Sequence, residues 1–276
     1  MSPGRERAAG GLVPLAHRRS GGRAGAPVLF LHGGGPGCAS HTDFRSAAPA
    51  IAPDRPHLFV DLPQYGGSEA PPHDEPALDH HVRHLRATLD ALEVPRVDVV
   101  AQSLGGSVAL LLAAVDPDRV GRVVATGSQP VPDDRADAAL AIDARSRYYG
   151  DEGPSPRKMR ELMARLEWCD PSGIPEVTVR ERYAASTTPW ALAVADGSGR
   201  GTPQSLAEEL AAVAAPTLLV WGAHDPFAPP AYATDLAARM SRADVVVLPG
   251  TAHHPQAERP DDYARSVNEF LDRKDP

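Results

Sequence analysis

Apolar and polar positions divide the chain into short buried runs separated by longer mixed stretches. The runs at 27–31 (PVLFL), 57–60 (HLFV), 97–101 (VDVVA), 120–125 (VGRVVA), 217–221 (TLLVW) and 244–248 (DVVVL) are rich in Val and Leu. Runs this short predict strands, and their near-continuous apolarity means that both sheet faces are covered. Between them, residues 78–92, 104–115, 231–240 and 260–271 predict helices. Alternation of the two predicts an α/β fold with a mostly parallel, doubly wound sheet. A further edge strand is expected at 12–15, after an opening rich in Gly, Arg and Ala that predicts a ragged start.

One stretch breaks this rhythm. Residues 130–210 carry no strand pattern and predict helices separated by turns at 150–156, 170–175 and 197–203, where Gly and Pro gather. The expected division is a core of 1–129 and 211–276 with a helical cap of 130–210. Such an insertion lies over the carboxyl edge of the sheet, where ligands bind in open α/β folds.

The 276 residues suffice for a large core without disulfides or a structural metal. A net charge of −8 argues against nucleic acid as a partner, since no basic surplus is present to neutralise phosphates. Two cysteines, Cys38 and Cys169, are too few for a disulfide framework and fit a reducing compartment. No apolar run is long enough to span a bilayer and no signal-peptide pattern opens the chain, so a soluble cytoplasmic protein is expected. Oligomeric state stays open between a monomer and a homodimer.

The chemistry concentrates at strand ends. Residues 97–101 lead into Gln102-Ser103-Leu104-Gly105-Gly106 and then a helix, the small-x-Ser-x-Gly form of a nucleophile elbow, with Ala101 where Gly is usual. An ordinary helix-capping serine would look the same locally. Asp225 follows the strand at 217–221, and His253 and His254 follow the last strand. The order Ser, Asp, His on one sheet edge suits a nucleophile, an orienting acid and a base, with the two histidines competing for the last role. After the strand at 27–31 stands His32-Gly33-Gly34-Gly35-Pro36-Gly37. Its bare backbone can supply an oxyanion donor from Gly34 or Gly35, beside that of Leu104. A phosphate loop is excluded because no Lys-Ser/Thr follows. His80, His81 and His84 fall on one predicted helix at mixed spacing, which is weak for a metal site.

These motifs resemble the α/β-hydrolase superfamily, and more narrowly the meta-cleavage-product hydrolases, which cleave carbon–carbon bonds in vinylogous diketones from aromatic-ring fission. The resemblance runs from about residue 28 to 271 and rests on HGGGPG at 32–37, Ser103-Leu104-Gly105-Gly106, and Ala252-His253-His254-Pro255-Gln256-Ala257-Glu258. It implies an α/β-hydrolase fold with a helical lid inserted after the sixth strand, His253 as base, and His254 as a pocket residue. It also implies a small-molecule carboxylate substrate and no metal or organic cofactor. Glu181-Arg182-Tyr183 resembles a family stretch whose arginine binds the substrate carboxylate, which makes Arg182 the expected clamp. Asp43 and Gln102 fall at substrate-contacting positions where the family tends to have Asn, His254 stands in place of Trp, and Gln64 in place of Gly. Together the departures point to a different substrate on shared machinery, with an ester, lactone or thioester hydrolase, or a non-hydrolytic lyase, cyclase or ligand-binding member, as alternatives.

Overall fold

The computed structural model describes residues 12–273. The start of the chain through residue 11, part of the expected ragged opening, lies outside them. In chain order come β1 (His17–Gly21), β2 (Val28–Leu31), α1 (Ser40–Asp43), β3 (Pro56–Val60), β4 (His73–Pro76) and α2 (Ala77–Ala91). Next are β5 (Val97–Gln102), α3 (Leu104–Val115) and β6 (Val120–Thr126). Then follow α4 (Ala138–Tyr149), α5 (Pro156–Leu166), α6 (Glu176–Ser186), α7 (Pro189–Leu192) and β7 (Arg200–Thr202). The chain closes with β8 (Thr217–Gly222), α8 (Pro230–Ala237), β9 (Ala243–Leu248), α9 (Pro255–Glu258) and α10 (Pro260–Leu271).

Seven strands form one sheet in the order β1-β3-β2-β5-β6-β8-β9, parallel except for β1, which runs antiparallel to β3. Side chains alternate across it. Leu29, Leu31 and Val99 pack toward α2, α3 and α8, while Val28, Phe30 and Val100 pack toward α10 on the other face. Helix α3 is buried from Gly105 to Ala113, which fits its nearly uniform apolarity. Leu31, Ala101, Ala125, Leu219 and Val245 lie in one row across five strands. The segments that follow them therefore leave from a single edge.

The expected edge strand at 12–15 is corrected by the structure. The edge is β1, whose sequence HRRSG is polar and exposed and so carries no apolar signal. Leu15 is instead a buried anchor whose N–H donates to Thr88 Oγ1 on α2 at 3.0 Å. The 130–210 stretch holds helices α4 to α7 around a local core of Tyr148, Met159, Leu162, Met163 and Trp168. It also contains a strand that the sequence does not reveal: β7 pairs in parallel with β4 in a separate two-stranded sheet. Three or four residues are too few for a period-two pattern. Gln64, where the family has Gly, holds φ +70° and donates from Nε2 to Pro71 O (3.0 Å) and Gly199 O (2.8 Å), tying this small sheet down. Among the described residues no helix is long and apolar enough to cross a membrane.

Candidate active site

At the end of β5 the chain turns through Ser103 with φ +48° and ψ −113°, a conformation that L-residues avoid at a cost of roughly 1–3 kcal/mol. The turn is held by Ser103 N–H donating to Thr126 O at 2.7 Å and by Ser107 N–H donating back to Ser103 O at 3.2 Å. Its tightness explains the small residues around it. A Cβ on Gly105 would lie 2.6 Å from the carbonyl oxygens of Leu31 and His32, and one on Gly106 would overlap Ser128 Oγ. Ala101, in the place of the usual Gly, is fully buried without strain of this kind. Among the described residues Ser103 Oγ has no hydrogen-bond partner, and Ser103 lines the central cavity.

His253 follows β9 and Asp225 follows β8. His253 Nδ1 lies 2.8 Å from Asp225 Oδ2, while Asp225 Oδ1 accepts from Phe227 N–H at 2.9 Å. A carboxylate can only accept, so Nδ1 carries the proton and Nε2 is left with its lone pair. Gly127 makes room for this pair: a Cβ there would stand 2.9 Å from His253 Cε1 and 3.2 Å from Asp225 Oδ2. Burial works against a charge on His253, but Asp225, Glu167 and Asp43 together outweigh it, so the imidazole's pKa is raised above 6.5. His254 shifts the other way, lowered by burial in spite of Glu167 and Asp43. Gln102 Nε2 donates to His253 O at 3.2 Å and fixes the backbone beneath the ring.

The glycine loop after β2 is braced at each peptide. Leu62 N–H donates to His32 Nε2 at 2.9 Å, so Nδ1 bears the hydrogen and donates to Gly33 O at 2.7 Å. Gly34 O accepts from Tyr65 OH at 2.9 Å and from Arg145 Nη2 at 3.2 Å. In a planar trans peptide the next N–H points opposite to the carbonyl, so these bonds aim the Gly34 and Gly35 N–H groups away from their braces. Among the described residues neither of those N–H groups, nor that of Leu104, has an acceptor, and all three residues line the same cavity as Ser103 and His253. Gly33 N–H is already engaged by Asp43 Oδ2 at 3.0 Å.

That cavity encloses about 360 Å³, and its apolar wall includes Leu78, Leu104, Ala144, Leu162 and Phe227. Gln102 and His254 line it; Arg182 and Asp43 do not. The expectation for Arg182 is therefore corrected. Its guanidinium is buried away from the cavity wall, ion-paired with Glu167 and bonded to Pro36 O (2.9 Å from Nη2). Burial opposes the charge, but Cys38, Glu167 and Asp43 more than offset it and raise the guanidinium's pKa. Asp43 likewise braces Gly33 instead of facing the cavity, and its Oδ1 is buried without a partner among the described residues. Glu167 was not singled out by the sequence. It lies on the cavity wall at the end of α5, with its carbonyl accepting from His254 N–H at 3.1 Å and Oε2 3.6 Å from His254 Nε2. Its only sequence signal is a charge directly after the apolar face of an amphipathic helix.

Of the histidines on the helix, the structure brings His80 together with His73 and Glu75, their ligand atoms within 4.8 Å of one another. Arg83 already occupies this group, 2.9 Å from Glu75 Oε2 and 3.3 Å from His80 Nδ1. The His73 and His80 rings stack at 3.5 Å, so their ring planes run nearly parallel.

The strained Ser103, the Asp225–His253 pair and the glycine loop thus lie together on one edge of a mostly parallel α/β sheet. Residues 26–260 match the family described as alpha/beta hydrolase fold, and the chain belongs to that family. It is 32% identical to a 2-hydroxymuconate semialdehyde hydrolase of Pseudomonas sp. (strain CF600), covering 99% of this chain and 95% of that one. It is 29% identical to a 2-hydroxy-6-oxo-2,4-heptadienoate hydrolase of Pseudomonas putida, covering 91% of each. Among solved structures it is similar to a meta-cleavage product hydrolase from Pseudomonas fluorescens IP01, with a TM-score of 0.77 at 24% identity over 92% of this chain and 93% of that one. A thermophilic esterase from Thermogutta terrifontis shares the fold equally well, with a TM-score of 0.77 at 23% identity over 96% and 95%.

Proposed function

We propose that the chain is a serine hydrolase in which Ser103 is the nucleophile, His253 the base and Asp225 its orienting acid, acting on a carbon–carbon bond of a vinylogous diketone carboxylate. The observation that carries the mechanism is the strained Ser103 sharing a cavity with an imidazole held 2.8 Å from a buried carboxylate. The relatives named as hydrolases of 2-hydroxymuconate semialdehyde and of 2-hydroxy-6-oxo-2,4-heptadienoate support the substrate class.

In this reading the dienol substrate first takes its keto form. Ser103 Oγ then attacks the carbonyl carbon while its proton passes to His253 Nε2. The Leu104 N–H and the Gly34 and Gly35 N–H groups hold the oxyanion. Collapse breaks the carbon–carbon bond, and the leaving carbon, stabilised as a dienolate, takes the proton from His253. Water, activated by the same imidazole, releases the acyl group and restores Ser103. Residues 130–210 act as the lid over a core of 1–129 and 211–276, excluding bulk water from the reacting carbonyl. Cys38 and Cys169 are both free thiols, which supports a cytoplasmic location.

The second reading, hydrolysis of an ester, lactone or thioester, is favoured by one observation: the family's carboxylate clamp position, Arg182, is neutralised by Glu167. A ring-fission dienoate, followed by loss of its visible absorbance, beside a panel of p-nitrophenyl esters separates the two. Rapid dienoate turnover supports the first reading. Ester turnover with an untouched dienoate replaces it with the second.

A further inference from the structure

Arg145 lies on α4, within the 130–210 insertion, and lines the cavity that holds Ser103 and His253. It is the only Arg or Lys on that wall among the described residues. It donates from Nη2 to Gly34 O at 3.2 Å and also meets the Tyr65 side chain, both neutral partners, out of the five N–H donors that a guanidinium carries. Among the described residues no carboxylate reaches it within ion-pair distance. Both acids on the wall are engaged elsewhere: Asp137 Oδ1 caps α4 through Leu140 N–H at 3.0 Å, and Glu167 pairs with Arg182. Burial, followed by the nearby charge of Arg200, weakens Arg145's hold on its proton, with only tyrosines in opposition. Arg200 itself rests over the Tyr65 ring at 4.7 Å. A desolvated cation without a counter-ion is costly, and an anion entering the cavity removes that cost.

We propose that Arg145 is the carboxylate-binding residue of this cavity, seating an anionic group of the substrate beside the glycine loop, while Arg182 serves as a neutralised strut behind the loop. The inference rests on the cavity being the substrate site and deepens that reading. It is local to this chain. Glu167 neutralises the arginine that the resemblance would assign, and a different helix supplies a cation to the cavity wall. Because Arg145 grips Gly34 O and Ser103 follows β5 on the same edge, the bound carboxylate fixes which carbonyl reaches the nucleophile. A guanidinium suits this role because two parallel N–H bonds set the orientation of a carboxylate as well as its position.

The test is calorimetric and does not depend on turnover. Ser103→Ala protein is titrated with benzoate and with benzamide, its neutral near-isostere. Benzoate is expected to bind more tightly by about tenfold or more, as befits a charge-assisted hydrogen bond inside a cavity. In the double variant Ser103→Ala/Arg145→Gln the preference should vanish. With Arg145→Lys it should shrink but persist, since a point charge remains without the planar fork. Absence of a preference in Ser103→Ala protein, or an unchanged preference with Gln at 145, overturns the proposal. Should the Gln variant fail to fold, Arg145→Met replaces it under the same criteria. Labelling of the unaltered protein with a fluorophosphonate reports separately on the Ser103 mechanism, so failure of that reading is distinguishable from failure of the carboxylate site.

Discussion

Glu167 and Arg182 form an ion pair whose side chains are only 6% and 1% exposed, set directly behind the glycine loop. Glu167 Oε2 also lies 3.6 Å from His254 Nε2, and Arg182 Nη2 bonds Pro36 O. A Cβ on Gly37 would overlap the Arg182 carbonyl, so loop and strut fit with no room between them. Burial tends to protonate Glu167, but Arg182 and then His254 hold its pKa below 4.5.

Removing one member of this pair strands a buried charge. Glu167→Ala is expected to destabilise the protein by about 3–5 kcal/mol in urea denaturation, whereas Glu167→Leu with Arg182→Met should recover most of that loss. An additive double variant would show that the two side chains are not energetically coupled.

Ser103→Gly should abolish turnover and fluorophosphonate labelling while raising stability by roughly 1 kcal/mol, because Gly tolerates φ +48°. A rise in stability with undiminished turnover would remove Ser103 from the chemistry.

The acid limb of the rate profile reports His253. The base must be neutral, and Asp225 raises its pKa, so kcat/KM should fall to half at a pH above 6.5. Asp225→Asn removes the main raising influence, so burial, the largest single effect, is opposed only by Glu167 and Asp43 and lowers the pKa. The limb should then move to lower pH, and the rate should drop by about 10⁴-fold. The sign for stability is opposite. The shift on His253 stabilises the fold fully below its unfolded pKa, near pH 6.5, and that contribution disappears as pH rises through the folded-state value. An acid limb in the variant that stays in place would exclude His253 as its origin.

Tyr65→Phe removes one of two bonds that aim the Gly34–Gly35 peptide. The expected result is a fall in kcat of about tenfold with little change in KM, less than the 10²–10³ that follows outright loss of an oxyanion donor. A change confined to KM would place Tyr65 in substrate binding instead.

The legible parts of the molecule are those fixed by local pattern. The buried runs place six of the sheet's strands within a residue or two. The elbow is legible because its small residues, Ala101, Gly105 and Gly106, all stand within three positions of Ser103, even though the atoms they clear, at Leu31, His32 and Ser128, lie at the ends of other strands. Asp225 and His253 were legible because a residue just past a parallel strand has only one edge to occupy. What stayed hidden depends on contacts distant in the chain. Glu167 and Arg182 meet only when α5 packs on α6, and Arg145 reaches Gly34 across 111 positions. Strand β1 was missed for another reason: an exposed edge has no need of apolar residues.

All four helices from α4 to α7 enter the molecule as one contiguous insert between β6 and β8. Most of what shapes the cavity's far wall therefore comes from one stretch of gene, while Ser103, Asp225 and His253 come from strand ends outside it. The two are joined through Glu167, which acts on His253, and Arg145, which holds Gly34, so a replaced insert must keep those two supports to keep the strand-end groups in order.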